Sequence, residues 1–201
     1  MRSEATEKFP TRTLRCTPAT AVALVIALFL CGCRAASISE SVASKFGGND
    51  PEAQIEFWHA LGEKPIACND DAFHGLLIYV DGEDQSNSYA ARVDTLKSRG
   101  LLPARFDAPA TQAIDRGTLA VAIAKALKIR GGLMMRATGT APRYAVRELV
   151  YEGVYPPSSP NQTFSGAEFL GVMGKMEDWQ RGNVEVPAAV LPGEAGSGGG
   201  G

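Results

Sequence analysis

The side chains able to do chemistry in this 201-residue chain are few and scattered. The two histidines are His59 and His74, and near them in sequence lie Cys68, Asp70 and Asp71. A metal site needs ligands at spacings that one helix or turn can gather, and this set matches no compact ligand pattern. No metal and no other cofactor is expected. A hydrolase needs a nucleophile beside a placed base. The chain has no Gly-x-Ser-x-Gly, no His-Glu-x-x-His and no paired catalytic cysteine and histidine, so no enzyme is expected. Two groups remain. Arg92, Lys97, Arg99 and Arg105 lie near Arg116 and could share its face, although a solvated face is the usual fate of such a run. The loop from Gly153 to Pro160 carries three prolines and Tyr155, read as exposed. It could meet a sugar or a peptide, or simply stiffen a connection.

Charge is informative by segment. Residues 50–86 hold nine acids and one lysine, and residues 87–147 hold eleven bases and three acids. Either the acidic piece packs beside the basic one, or the basic piece meets an anionic polymer of the cell envelope. The near equality of the two charges favours internal packing. No nucleic-acid reading motif is present, and nucleic acid is not an expected partner.

The first residues carry Arg2, Lys8, Arg12 and Arg15, followed by an apolar run from Thr20 to Leu30. Eleven apolar residues are too few to span a bilayer, which takes about 20, but they suit the core of a secretory signal. The run ends in Leu30-Cys31-Gly32-Cys33, which resembles the bacterial lipobox. That resemblance implies a signal peptide over 1–32, lipidation of Cys33 and membrane attachment through the lipid. An ordinary cleaved signal and a signal anchor are the alternatives. Cys16, Cys31 and Cys33 belong to the leader or its end, so Cys68 is left without an internal disulfide partner.

These side chains need elements to position them. Residues 33–49 read as a flexible tether. Asp50-Pro51-Glu52 is a helix start: an N-cap acid, a proline in the first turn and an acid near the positive helix end. Ile55, Trp58, Gly62 and Pro65 then repeat in spacing as Val93, Leu96, Gly100 and Pro103, and again as Val146, Leu149, Gly153 and Pro156. The apolar pair faces a neighbouring helix, glycine ends the helix and proline stiffens the exit. A second helix follows each proline, with Phe73 and Leu77, Leu119 and Ile123, or Phe169 and Met173 on its apolar face. Asn69-Asp70-Asp71 marks one second-helix start, and Ser165 with Glu168 has capping-box spacing at another. Repeated helix pairs that differ in loop length predict an all-α fold over 50–180, with units at about 51–82, 87–130 and 142–178. Met134 and Met135, between the last two units, are expected against the core. The Gly-rich segment 181–201 reads as a disordered tail.

The middle unit resembles an S-layer homology repeat. Leu96, Gly100, Leu101, Phe106 and Pro109 match its first helix and loop, and Asp115-Arg116-Gly117-Thr118-Leu119 matches the opening of its second helix. The last unit keeps Leu149, Gly153, Val154 and Ser165-Gly166-Ala167-Glu168-Phe169; the first is weaker, with Asn69-Asp70-Asp71-Ala72-Phe73. The resemblance covers about residues 51–178. It implies three helix–loop–helix units around a common, pseudo-threefold core, and attachment to cell-wall polysaccharide with the motif arginine touching an anionic sugar. Only Arg116 keeps that arginine; the equivalent positions are aligned to Asp70 and Gly166. Arg116, Thr118, Arg105 and Lys97 are therefore the expected ligand contacts. The expected role is a non-enzymatic, lipid-anchored envelope protein that binds anionic polysaccharide or serves as a structural module. A scaffold for another envelope protein, using the 155–160 loop, is the alternative.

Overall fold

The computed structural model describes residues 35–132, Met135 and residues 139–183. It is helical, with seven α-helices among the described residues: α1 (Ala43–Phe46), α2 (Pro51–Gly62), α3 (Asn69–Asp81), α4 (Tyr89–Ser98), α5 (Arg116–Ala126), α6 (Pro142–Tyr151) and α7 (Gly166–Asn183). Among these residues the only strand-like pairings are three isolated bridges. No helix among the described residues is long and apolar enough to cross a membrane.

Local chemistry explains most of the helix starts. Asp50 accepts a hydrogen bond from the Ala53 N–H at 2.9 Å, and Pro51 opens α2 without losing a needed donor. Asp115 caps α5 by accepting from both the N–H and the hydroxyl of Thr118, at 2.7 and 2.9 Å. Ser165 and Glu168 exchange bonds as a capping box ahead of α7. α3 begins at Asn69, with Cys68 in the cap position and no side-chain cap bond. The helices α4 and α6 end alike. Leu101 and Leu102 N–H both reach the Leu96 carbonyl, and Val154 and Tyr155 N–H both reach that of Leu149. Gly100 and Gly153 make that wrap possible, with φ of 68° and 77°.

The end of α2 departs from the expected pattern. Gly62 is the last residue of the helix itself, and its φ is not positive. A Cβ there would lie 2.9 Å from Leu170 of α7, so this glycine serves close approach rather than chain reversal. The buried face of α2 is also a correction. Phe57 and Leu61 are fully buried, whereas Ile55 is 68% exposed and Trp58 is half-buried. Two positions on a helix turn the side chain by about 200°, so Phe57 and Ile55 cannot both face inward. The second-helix expectation fits better: Phe73, Leu77, Leu119, Ile123, Phe169 and Met173 are all buried. α5 is buried nearly all round from Leu119 to Ala124, as suits a central helix. Met135 is buried, while Met134 lies outside the described residues.

The helices that pack most closely are not the two of one expected unit. α4 lies on α3, α6 on α5 and α2 on α7. Below them, the segments leading into the second helices bond to one another. Ala67 N–H reaches the Phe164 carbonyl at 2.9 Å and Ile114 N–H reaches that of Ala67 at 3.1 Å. Asn69 and Asp70 N–H bond to Gln112 and Ala110, and Arg116 and Gly117 N–H bond to Gln162 and Pro160 in the same manner. In this bonding pattern the Arg116 N–H takes the part that the Asn69 N–H, not the Asp70 N–H, takes in the other. Gly166 N–H bonds to Lys64, and a Cβ at Gly166 would fall 1.7 Å from the Leu61 carbonyl oxygen. No arginine could stand there.

Residues 36–49 are part of the fold, contrary to the tether expected from their composition. Ala36 accepts from Ala113 N–H at 2.8 Å, and Ile38 N–H donates to Thr111 at 2.9 Å. Ser41 donates to Asp70 at 2.6 Å, Ala43 N–H donates to Asp71 at 2.9 Å, and Val42 and Ala43 are buried. The helix α7 likewise runs past the expected boundary at 180, to Asn183, and residues 184–201 lie outside the described residues.

Candidate functional site

Arg116 stands at the first position of α5 and is only 7% exposed. Its Nε donates to the Thr163 carbonyl at 3.0 Å, Nη1 to the Ser158 hydroxyl at 2.8 Å and Nη2 to Glu168 Oε1 at 2.7 Å. The guanidinium carbon lies 4.5 Å from the centre of the Phe164 ring, a cation–π distance. The planar fork expected to grip a sugar carboxylate is thus spread over four groups of the chain itself. Bonds from the Ser165 N–H, and then from Arg116 and the Ser165 hydroxyl, hold the Glu168 carboxyl below its ordinary range despite some burial. Tyr155, read from the sequence as exposed, is 2% exposed and stands edge-on to Phe164 at 5.5 Å. The proline loop is therefore one wall of the Arg116 cluster. The exposed aromatic nearby is Tyr151.

Among the described residues none of the other expected contacts shares a side-chain hydrogen bond or ion pair with Arg116. Thr118 is occupied in capping α5 through Asp115. Arg92 is buried, Arg99 pairs with Asp81 at 2.6 Å, Lys97 is half-buried and Arg105 is exposed. Lys97 and Arg105 form no ion pair among the described residues. Cys33 lies outside the described residues.

A second cluster, which spacing did not reveal, forms where α3 meets α4. Arg92 donates through Nη1 to Asp70 at 2.6 Å and through Nε to Asp84 at 2.5 Å. His74 Nδ1 lies 2.6 Å from the same Asp84 oxygen, and Ser41 completes Asp70. Asn49 bonds both the N–H and the carbonyl of Asp84, at 2.8 and 2.9 Å, fixing the loop that carries it. Burial raises the Asp84 pKa, but hydrogen bonds from His74, Arg92 and the Ser86 N–H outweigh it and bring it down to about 2. Burial pushes the Asp71 carboxyl up, and bonds from the Ala43 N–H and the Cys68 thiol offset only part of that. The Cys68 thiol is pushed far up by burial and then by Asp71. It is an inert residue rather than a nucleophile.

The His74–Asp84 pair has the outline of a base with its orienting acid. The ring is fully buried and stands edge-on to Phe57 at 4.5 Å, and its Nε2 has no partner among the described residues. A base without access cannot reach a substrate. Among the described residues no three His, Cys, Asp or Glu side chains are grouped to hold a metal. Open grooves on the described residues include two beside α3. One, about 460 Å³, is lined by Lys45, Asp70, Asn87, Ser88, Tyr89 and Arg92. The other, about 610 Å³, is lined by Trp58, Ile78, Tyr79, Leu170 and Met173.

No family model matches this sequence, and no curated protein or solved structure matches it.

Proposed function

We propose that this chain is a non-enzymatic, lipid-anchored protein of the cell envelope, built of three S-layer-homology-like units and acting as a structural or protein-binding module. Support for the repeat reading comes from the order of packing. The first helix of each unit lies on the second helix of another, α4 on α3, α6 on α5 and α2 on α7, so the relation returns to its start. The bonds among Ala67, Ile114 and Phe164 join the three lead-in segments at the same depth, which is where a pseudo-threefold centre would sit.

The observation that favours a structural role over glycan binding is the state of Arg116. A ligand-binding arginine must offer its donors to the ligand, and here Nε, Nη1 and Nη2 each hold a group of the last unit. The residue therefore acts as a joint between the middle and last units. Retention of the 34–201 fragment on purified anionic envelope polysaccharide tests this at low and high salt. The expectation is that any retention is the same in wild type and in Arg116→Ala. Salt-sensitive retention that disappears in Arg116→Ala, with the helical signal unchanged, would restore the glycan reading and overturn this one.

A further inference from the structure

We propose that the folded domain sits directly against the membrane, with the edge formed by residues 36–40 and 107–113 turned to the lipid surface. This rests on the reading of Cys33 as the lipid-bearing residue and gives that anchor an orientation. Only Arg34 and Ala35 separate Cys33 from Ala36. Three residue steps span at most about 11 Å even when fully extended. A domain of this size has a radius of gyration of about 15 Å, so the link is shorter than the body it carries.

The link cannot lengthen cheaply by peeling away from the domain. Ala36 and Ile38 are bonded to Ala113 and Thr111, and Ser37 bridges to Gln112. Immediately downstream, Ser41 and Ala43 are fastened to the buried acids Asp70 and Asp71, and Val42 is buried. Releasing the segment would strip a partner from each acid, and buried acceptors are costly to leave unpaired. The edge also suits a headgroup surface. In a chain with 21% charged residues, neither 35–39 nor 108–113 contains one. Charge appears at the margins, as Glu40, Arg105 and Asp107.

The opposite end of the molecule supplies the control position. α7 starts at Gly166, next to the lead-in segments, and Arg181 lies fifteen residues along it, about 22 Å away at 1.5 Å per residue. The full chain, expressed with its leader in a bacterial host, is labelled with a fluorophore at Ser37→Cys or at Arg181→Cys and placed in phosphatidylethanolamine–phosphatidylglycerol vesicles with a headgroup nitroxide lipid. Cys68 is fully buried and stays unlabelled. Quenching is expected to be several-fold stronger at position 37 than at 181. Inserting about twelve Gly/Ser residues between Arg34 and Ala35 should remove that difference, because such a linker lets the domain tumble. Equal quenching at the two positions in the acylated protein with its native link overturns the orientation. The mass of the mature N-terminus separates the two layers of the argument: absence of an acyl chain on Cys33 overturns the anchor and the orientation together.

Discussion

Arg92 and Arg116 are both buried and both join separate parts of the chain, yet they are neutralised in different ways. Arg92 lies between two carboxylates that are themselves buried, Asp70 and Asp84, and shares one oxygen of Asp84 with His74. Arg116 has a single acid, Glu168, whose side chain is 48% exposed; it also donates to a carbonyl and a hydroxyl, and its planar face lies over a ring. Where water is excluded, full charges must be balanced by full charges. At the edge of the protein, neutral acceptors and solvent can share the load. Arg92 is therefore the more deeply committed residue, although the sequence drew attention to Arg116.

The largest effect should follow from removing the cation between two buried acids. Arg92→Met should cost roughly 3–5 kcal/mol of stability, because Asp70 and Asp84 are left buried without it. Urea unfolding at neutral pH measures this, and a cost below that of Arg116→Met would reverse the comparison. Next comes Asp84→Asn. The folded pKa of Asp84, about 2, lies below the usual carboxylate value near 3.9. Its contribution is thus complete above about pH 4 and is lost as pH falls towards 2; the substitution should cost about 2 kcal/mol at pH 7 and flatten that acid slope. Asp71 has the opposite sign. Its raised pKa gives a contribution present in acid and lost as pH rises through the folded value, so Asp71→Asn should gain on wild type as pH increases.

Arg116→Met comes next, with an expected loss of about 1–2 kcal/mol, since solvent can rehydrate Glu168. Ser165→Ala, which removes the cap of α7 beside Glu168, should lower stability by about 1 kcal/mol. Lys97→Ala and Arg105→Ala should fall within about 0.5 kcal/mol of wild type by thermal melting. Larger losses at these two positions would mean that the basic segment is held by its surface charges rather than by Arg92.

The sequence announced local features best. Asp50, Asp115 and Ser165 start helices because a short polar side chain satisfies a free N–H, and that chemistry is complete within four residues. Charge complementarity between 50–86 and 87–147 was visible too, and it takes the form of Arg92 with Asp70 and Asp84 and Arg99 with Asp81. What spacing could not carry were contacts over long separations. Asp70 and His74 lie one turn apart on α3, but Ser41, Asp84 and Arg92 come from other segments, so no motif unites all five. Phe57 and Trp58 are adjacent, and both stand at helical spacing from Leu61. Only the neighbouring α3 and α7 decide which one goes inside. Residues 36–49 looked like a tether because backbone bonds, which leave no pattern in side chains, hold Ala36 and Ile38. Tyr155 looked exposed because a proline loop says nothing about the Phe164 ring that covers it.

The central claim is that the three lead-in segments close the molecule at Ala67, Ile114 and Phe164, with Arg116 as a joint beside them. Amide hydrogen exchange on the intact protein reads this most directly. The account predicts that the N–H groups of Ala67, Ile114, Arg116 and Gly117 exchange only with global unfolding, as slowly as Ile123 in the middle of α5. Exchange at these four amides more than about a hundredfold faster than at Ile123 would show the segments opening while the helices stay folded, and would contradict it.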